Sequence, residues 1–213
     1  MKFFLLLALL GPLAVAQPAS PTVWRLDDLA AVGGHPAKKI GAPRLVRDAA
    51  GAAIFFDGAH DGLVVPANPL RHLRAFTIEL LIRPDADGPA EQRFFHVQDT
   101  DANRALLELR LTPAGRWALD TFLRCGDSSL PLLDLTKLHS SAEWHWVALR
   151  YDGHRMTSFV DGVRELEGDV TFLSTAAGET SVGVRLNLVH WFKGGIREIR
   201  VSPTALPPDQ LAR

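Results

Sequence analysis

Cysteine is almost absent. Cys125 is the only one in 213 residues, so no disulfide can close within the chain and stability must come from a packed core. A catalytic thiol would want a histidine in a positioning pattern that the sequence does not present, and Cys125 reads as a strand-end residue. Tyrosine is equally scarce, with Tyr151 alone, and lysine is few, five against eighteen arginines. Net charge is nearly absent too: −1, from 23 basic and 24 acidic residues. That excludes the basic footprint of a nucleic-acid binder. The eight histidines include no i, i+4 pair suited to zinc. Gly-x-Ser-x-Gly, glycine-rich phosphate loops and Cys-x-x-Cys are all missing, and with them the common nucleophile, nucleotide and redox signatures. Beyond residues 3–10 no apolar run approaches the roughly 20 residues that a bilayer demands, so no membrane span is expected in the mature chain.

What is present is an ordinary globular balance, 47% hydrophobic and 22% charged, enough for one domain with a sizeable core. The start of the chain differs. Met1-Lys2 is a short basic opening, residues 3–10 are unbroken apolar, Gly11-Pro12 interrupts them, and Ala14-Val15-Ala16 is a small-x-small pattern. Residues 1–16 are therefore expected to be a secretory signal peptide cut before Gln17. Localisation is then secreted or periplasmic. Residues 17–22 (QPASPT) read as an exposed tether, and residues 23–213 as a single domain.

From Trp24 onward the hydrophobic period is mostly two. Phe76, Ile78, Leu80 and Ile82 alternate with Thr77, Glu79, Leu81 and Arg83 until Pro84-Asp85. Ala105, Leu107, Leu109 and Leu111 alternate with Arg104, Leu106, Glu108 and Arg110 until Pro113-Ala114-Gly115. The spacing predicts further strands over 54–56, 63–65, 94–98, 117–123, 144–151, 155–160, 181–188 and 196–201, with Asp152-Gly153 and Asp161-Gly162 as turns. Helical pattern is limited to turns at 68–73 and 208–211. Short strands between Gly, Pro and Asp turns predict an all-β antiparallel sandwich or barrel.

The order of particular segments narrows this. Residues 53–61 (AIFFDGAHD), 76–79 (FTIE) leading to Ile82-Arg83-Pro84, 144–153 (WHWVALRYDG), 159–162 (FVDG) and 192–201 (FKGGIREIRV) follow one another as in bacterial laminin G-like domains. The chain resembles that jelly-roll family of the concanavalin A-like lectin/glucanase superfamily over nearly all of its mature length. The resemblance implies a jelly-roll β-sandwich whose members include glycan binders, adhesion modules and enzymes. Many members carry a Trp where this chain has Leu80-Leu81, and often Asp-Glu where it has Arg197-Glu198. Calcium-binding members often use an acidic residue at the latter place. Leu107-Glu108-Leu109-Arg110 and Trp191-Phe192-Lys193-Gly194-Gly195 are also similar to two motifs of jelly-roll alginate lyases, but the Gln-x-His strand motif is missing and Trp191 stands where an acid–base Tyr would be needed.

Charged residues at strand spacing are the most informative feature. Arg104, Glu108 and Arg110 share a face because even offsets align. Arg185 and Asn187 repeat the pattern on the expected late strand, and Trp191 follows. His96 and Gln98 share a face, with Phe94 on it too, and Asp120 stands alone among apolar neighbours. The expected ligand contacts are Arg104, Glu108, Arg110, Arg185, Asn187 and Trp191: charges and amides to orient a polymer, an indole to stack on it. The competing reading is a solvated outer sheet face whose charges pair across strands. No catalytic residue is assigned, since Glu165-Leu166-Glu167-Gly168-Asp169 reads as a solvated loop rather than a glycosidase's carboxylate pair. Asp99-Thr100-Asp101-Ala102-Asn103, and Asp57 with Asp61, read as turn chemistry rather than calcium loops. No cofactor is expected, with calcium left open. The function expected is a secreted non-catalytic module binding carbohydrate or another extracellular polymer. Protein–protein adhesion is the alternative, and a polysaccharide-degrading lyase or glycosidase the second.

Overall fold

The computed structural model describes residues 20–173 and 175–213. The expected signal peptide and the start of the expected tether lie outside the described residues. Thr22, expected in the tether, begins the first strand.

Strands are numbered in chain order. An eight-stranded sheet holds β1 (Thr22–Arg25), β5 (Arg44–Asp48), β6 (Gly51–Asp57), β8 (Phe76–Pro84), β13 (His145–Tyr151), β14 (Arg155–Val160), β15 (Val163–Asp169) and β17 (Lys193–Ser202). Its order is β15-β14-β13-β8-β17-β6-β5, with β1 also paired to β17. A seven-stranded sheet holds β4 (Lys38–Ile40), β7 (Gly62–Val65), β9 (Glu91–Asp99), β10 (Arg104–Leu111), β11 (Trp117–Cys125), β12 (Ser128–Leu133) and β16 (Gly178–Val182), in the order β12-β11-β10-β9-β16-β7-β4. β2 (Ala31–Val32) and β3 (His35–Pro36) form a small separate hairpin. Among the described residues the only helical element is a 3-10 turn at Pro208–Gln210. The architecture is an antiparallel sandwich.

The alternation read from the sequence is what packs the two sheets together. Phe76, Ile78, Leu80 and Ile82 of one sheet and Ala105, Leu107 and Leu109 of the other are fully buried in the same core. Tyr151 belongs to that core, its hydroxyl donating to the Val170 carbonyl at 3.1 Å and accepting from Phe172 N–H at 3.0 Å. Cys125 closes β11 and accepts from Leu173 N–H at 3.4 Å through Sγ.

Several local expectations are corrected. The strand expected over 181–188 stops at Val182, because Gly183 has φ +81° and a Cβ there would lie 2.3 Å from the Phe56 ring. Residues 185–188 form a turn closed by Leu188 N–H on the Arg185 carbonyl at 2.8 Å, so Arg185 and Asn187 do not sit on a strand. Residues 68–73 are not helical: Asn68 accepts from Leu70 N–H at 2.9 Å and donates to the Ala176 carbonyl at 2.7 Å, a turn held by its own side chain. Glu165 to Asp169 are strand rather than loop, on the exposed edge β15.

Strand β9 carries the irregularity that matters most. Leu107 pairs with Phe95, yet Glu108 pairs with Arg93, so Phe94 is the extra residue of a β-bulge. The bulge lets both Phe94 and Phe95 enter the core, and it brings Arg93 to the face that His96 and Gln98 occupy.

The outer face of the eight-stranded sheet is largely covered. Ala212 N–H donates to Glu79 at 2.8 Å, and Leu211 packs on Ala148 and Phe159. Arg197 and Arg200 lay their guanidinium groups 4.4 and 4.5 Å from the Trp144 and Trp146 ring centres. The outer face of the seven-stranded sheet has a groove instead.

Candidate functional site: a polar groove on the seven-stranded sheet

Cross-strand register builds the groove floor in rows. Glu179, Gln98, Arg104 and Arg124 form one, and Ser181, His96, Leu106, Phe122 and Pro131 the next. Arg93, Glu108 and Asp120 form the third, and Glu91 with Arg110 the fourth. The loop after Gly183 closes one side with Arg185. Two adjoining cavities of about 180 and 260 Å³ result. The first is lined by Arg93, Arg104, Glu108, Arg110, Asp120, Phe122 and Arg185 among others, the second by His96, Gln98, Arg185, Leu186 and Asn187. A recess of about 520 Å³ elsewhere, lined by Val23, Arg25, Asp27, Asp28, Ala31, Gly33 and Gly34, is larger. Its charged side chains are all exposed, whereas in the groove Glu108 and Asp120 are buried and paired with Arg93 and Arg110.

Glu108 and Asp120 stand opposite each other and are 5% and 4% exposed. Arg110 bridges them, with Nη2 2.6 Å from Asp120 Oδ2 and Nη1 3.4 Å from Glu108 Oε2. Arg93 Nε lies 2.9 Å from Glu108 Oε2 but off the line of a hydrogen bond, so that contact is an ion pair without a directed bond. Arg93 Nη1 also donates to Glu91 at 2.9 Å. Burial, and then the negative charge of Glu108, raise the Asp120 carboxyl to about 6 against the opposing pull of Arg110 and Arg93. Its Oδ1 has no partner among the described residues.

His96 is 2% exposed. Its Nδ1 accepts from Leu186 N–H at 3.1 Å, which leaves the ring proton on Nε2. Burial, then Arg185, Arg104 and Arg93, hold its basicity down to about 3, so the ring is neutral. Gln98 stands beside it and weakly favours the charged form, but Nε2 makes no hydrogen bond among the described residues. Arg104 Nε is likewise an unpartnered buried donor. The floor therefore presents unused donors and an unused acceptor, where buried polar atoms are ordinarily paired.

Of the six residues expected from the sequence, Arg104, Glu108, Arg110 and Arg185 line the first cavity, and Asn187 joins Arg185 in the second. Trp191 lines neither and is half-buried. Sequence reasoning missed Arg93, whose face is set by the bulge. The adjacent Phe94-Phe95 was the available signal, since two large neighbours can both reach a core only if the alternation breaks. It also left Asp120 isolated, whereas pairing puts it against Glu108. Elsewhere, Asp99 Oδ1 accepts from Asp101 and Asn103 N–H, both at 2.9 Å. Asp57 Oδ1 accepts from Ala59, His60 and Asp61 N–H within 3.0 Å. Although burial opposes it, those bonds hold Asp57 at about 2. Both carboxylates are engaged in their turns, and among the described residues no three His, Cys, Asp or Glu side chains gather as metal ligands.

An antiparallel two-sheet sandwich with a polar groove on one outer face defines the class: an all-β domain of lectin-like architecture. The chain belongs to the laminin G-like family of the concanavalin A-like lectin/glucanases superfamily, whose model matches residues 57–212. Among curated proteins, none matches the sequence. Solved structures share the fold at low identity. Domain 4 of AbnA, an extracellular arabinanase of Geobacillus stearothermophilus solved in complex with arabinotriose, is 18% identical with a TM-score of 0.67, over 91% of this chain and 97% of that one. The binding domain of botulinum neurotoxin DC, solved in complex with SialylT, is 12% identical with a TM-score of 0.65, over 89% of this chain and 49% of that one. The binding domain of paraclostridial mosquitocidal protein 1 is 10% identical with a TM-score of 0.63, over 89% of this chain and 50% of that one. The chain thus spans about half the length of these two toxin domains.

Proposed function

We propose that this chain is an exported, non-catalytic binding module for carbohydrate or another extracellular polymer, and that the groove on the seven-stranded sheet is its site. One observation carries the reading. The groove concentrates buried polar atoms that have no partner among the described residues, His96 Nε2, Arg104 Nε and Asp120 Oδ1, and sugar hydroxyls are donors and acceptors that would satisfy them. The fold it shares with a domain solved holding arabinotriose is in keeping with this. Export rests on the apolar opening of the sequence, and among the described residues no helix is long and apolar enough to cross a membrane.

Glu108 and Asp120 are directly opposed across β10 and β11 and are the residue types that a glycosidase uses. Here both are enclosed and tied to arginines, which suits anchors better than an acid and a base that must exchange protons with substrate. A protein partner is the second reading, favoured by Leu188 and Val189, both exposed on the loop beside the groove.

Native electrophoresis through gels containing neutral or uronate-rich polysaccharides, with and without calcium, tests the assignment. Retardation by one polymer that is lost in Arg104→Ala is the expected result. Clearing of stained polymer under the band would transfer the protein to the enzymes. Unretarded migration in every gel would leave the protein-partner reading.

A further inference from the structure

The arginines of the groove fall into two groups. Arg93 and Arg110 are engaged by Glu91, Glu108 and Asp120. Arg104, Arg124 and Arg185 have, among the described residues, no carboxylate in ion-pair contact. They crowd one corner: Arg104 and Arg124 are directly opposite across β10 and β11, and Arg185 lines the same cavity as Arg104. Burial, then the charges of Arg124 and Arg185, make the Arg104 guanidinium less basic than usual. Arg104 and Arg185 are half-buried and Arg124 exposed, and half-buried like charges without a counter-ion are costly. The same corner holds His96, neutral yet with its Nε2 proton unused.

We propose that this corner takes an oxyanion carried on a polysaccharide, a uronate carboxylate or a sulfate ester, held by Arg104, Arg185 and the Nε2 donor of His96. The proposal deepens the polymer-binding reading of the groove and rests on it. Arginine suits both anions because its fork donates two parallel hydrogen bonds. The rest of the groove argues for a saccharide over an acidic peptide. Glu91, Glu108 and Asp120 occupy the neighbouring rows, so a polyanion without hydroxyls, such as an acidic peptide, would meet like charge there. Hydroxyls between spaced anions would donate to them.

Calorimetric titration of the full mature chain with oligogalacturonate, its methyl ester, a sulfated oligosaccharide and oligoglutamate tests this. A free acid or sulfate should bind at least about tenfold more tightly than the neutral ester, the scale of one charge-assisted hydrogen bond. The preference should shrink with added salt and vanish in Arg185→Ala, a loop substitution outside the core. Gln98→Glu, which places a negative charge beside His96, should abolish it too. The carboxylate and sulfate arms decide which oxyanion is bound. Equal binding of ester and acid would overturn the anion corner and leave the groove a saccharide site. Oligoglutamate binding as tightly as oligogalacturonate would overturn the saccharide carrier. Silence in every arm, together with unretarded migration in the gels, would overturn this inference and the proposed function alike.

Discussion

Arg110 is shared between two buried carboxylates, and that arrangement decides what its loss would do. Arg110→Ala leaves Asp120 enclosed with no cation in direct contact and Glu108 with Arg93 alone. Stranding a buried charge costs about 3–5 kcal/mol, far more than loss of a surface pair. Urea unfolding should register a drop of that order, and Arg110→Ala/Asp120→Ala together should cost less than the two single losses added. The groove floor makes stability respond to acid in two opposed ways. Asp120 is raised in the fold from 3.8 to about 6, so the stability it contributes is full below about 4 and lost as pH rises through 6. His96 is lowered from 6.5 to about 3, so its contribution is full above 6.5 and lost as pH falls toward 3. Between pH 4 and 6 the two slopes oppose each other. Asp120→Asn removes one of them, and the variant's melting temperature should fall more steeply than the wild type's on acidification from 6 to 4.

At the scale of elements, β9 and the loop after β16 assemble the groove, and each departs from regular strand. Gly183 is the pivot of that loop. Gly183→Ala forces a side chain into left-handed backbone and into the Phe56 ring, so it should lower the melting temperature. It should also weaken polymer retardation by displacing Arg185, where a merely core-damaging Phe56→Leu would not. These two elements also mark the limit of what the sequence could convey. β8, β10, β13 and β14 were legible because long alternation leaves one face for the core. Arg104, Glu108 and Arg110 were legible with them, since the alternation that buries Leu107 and Leu109 turns these three outward. The alternation of Val184, Leu186 and Leu188 extends the pattern of a strand that has already ended, and only tertiary contact with Phe56 identifies Gly183 as its end. Arg93 stayed hidden because one inserted residue changes the face of everything before it. The short strands β2 to β5 and the edge strands β12 and β15 bury too little to leave a period.

For the whole molecule, one core between two sheets carries the stability, with no covalent staple. Cys125 cannot form an intramolecular bridge, so the monomer's urea midpoint should be the same with and without reductant; a dependence would point to a disulfide between chains. The two outer faces have separate fates. One is capped by the C-terminal segment and by arginines laid on Trp144 and Trp146, and the other keeps an open trough of mixed charge. The near-zero net charge conceals this local asymmetry, so binding should depend on salt as though to a basic protein.

The hydrogen bond from the Leu186 amide to His96 Nδ1 makes the imidazole a built-in reporter. While the loop is seated, the ring is fixed as a single tautomer and does not titrate near neutrality. If the loop lifts, Nδ1 loses its donor, water and protons reach the ring, and its nitrogen resonances move. The magnetic signature of one side chain therefore registers the seating of the segment that carries Arg185, with no ligand needed.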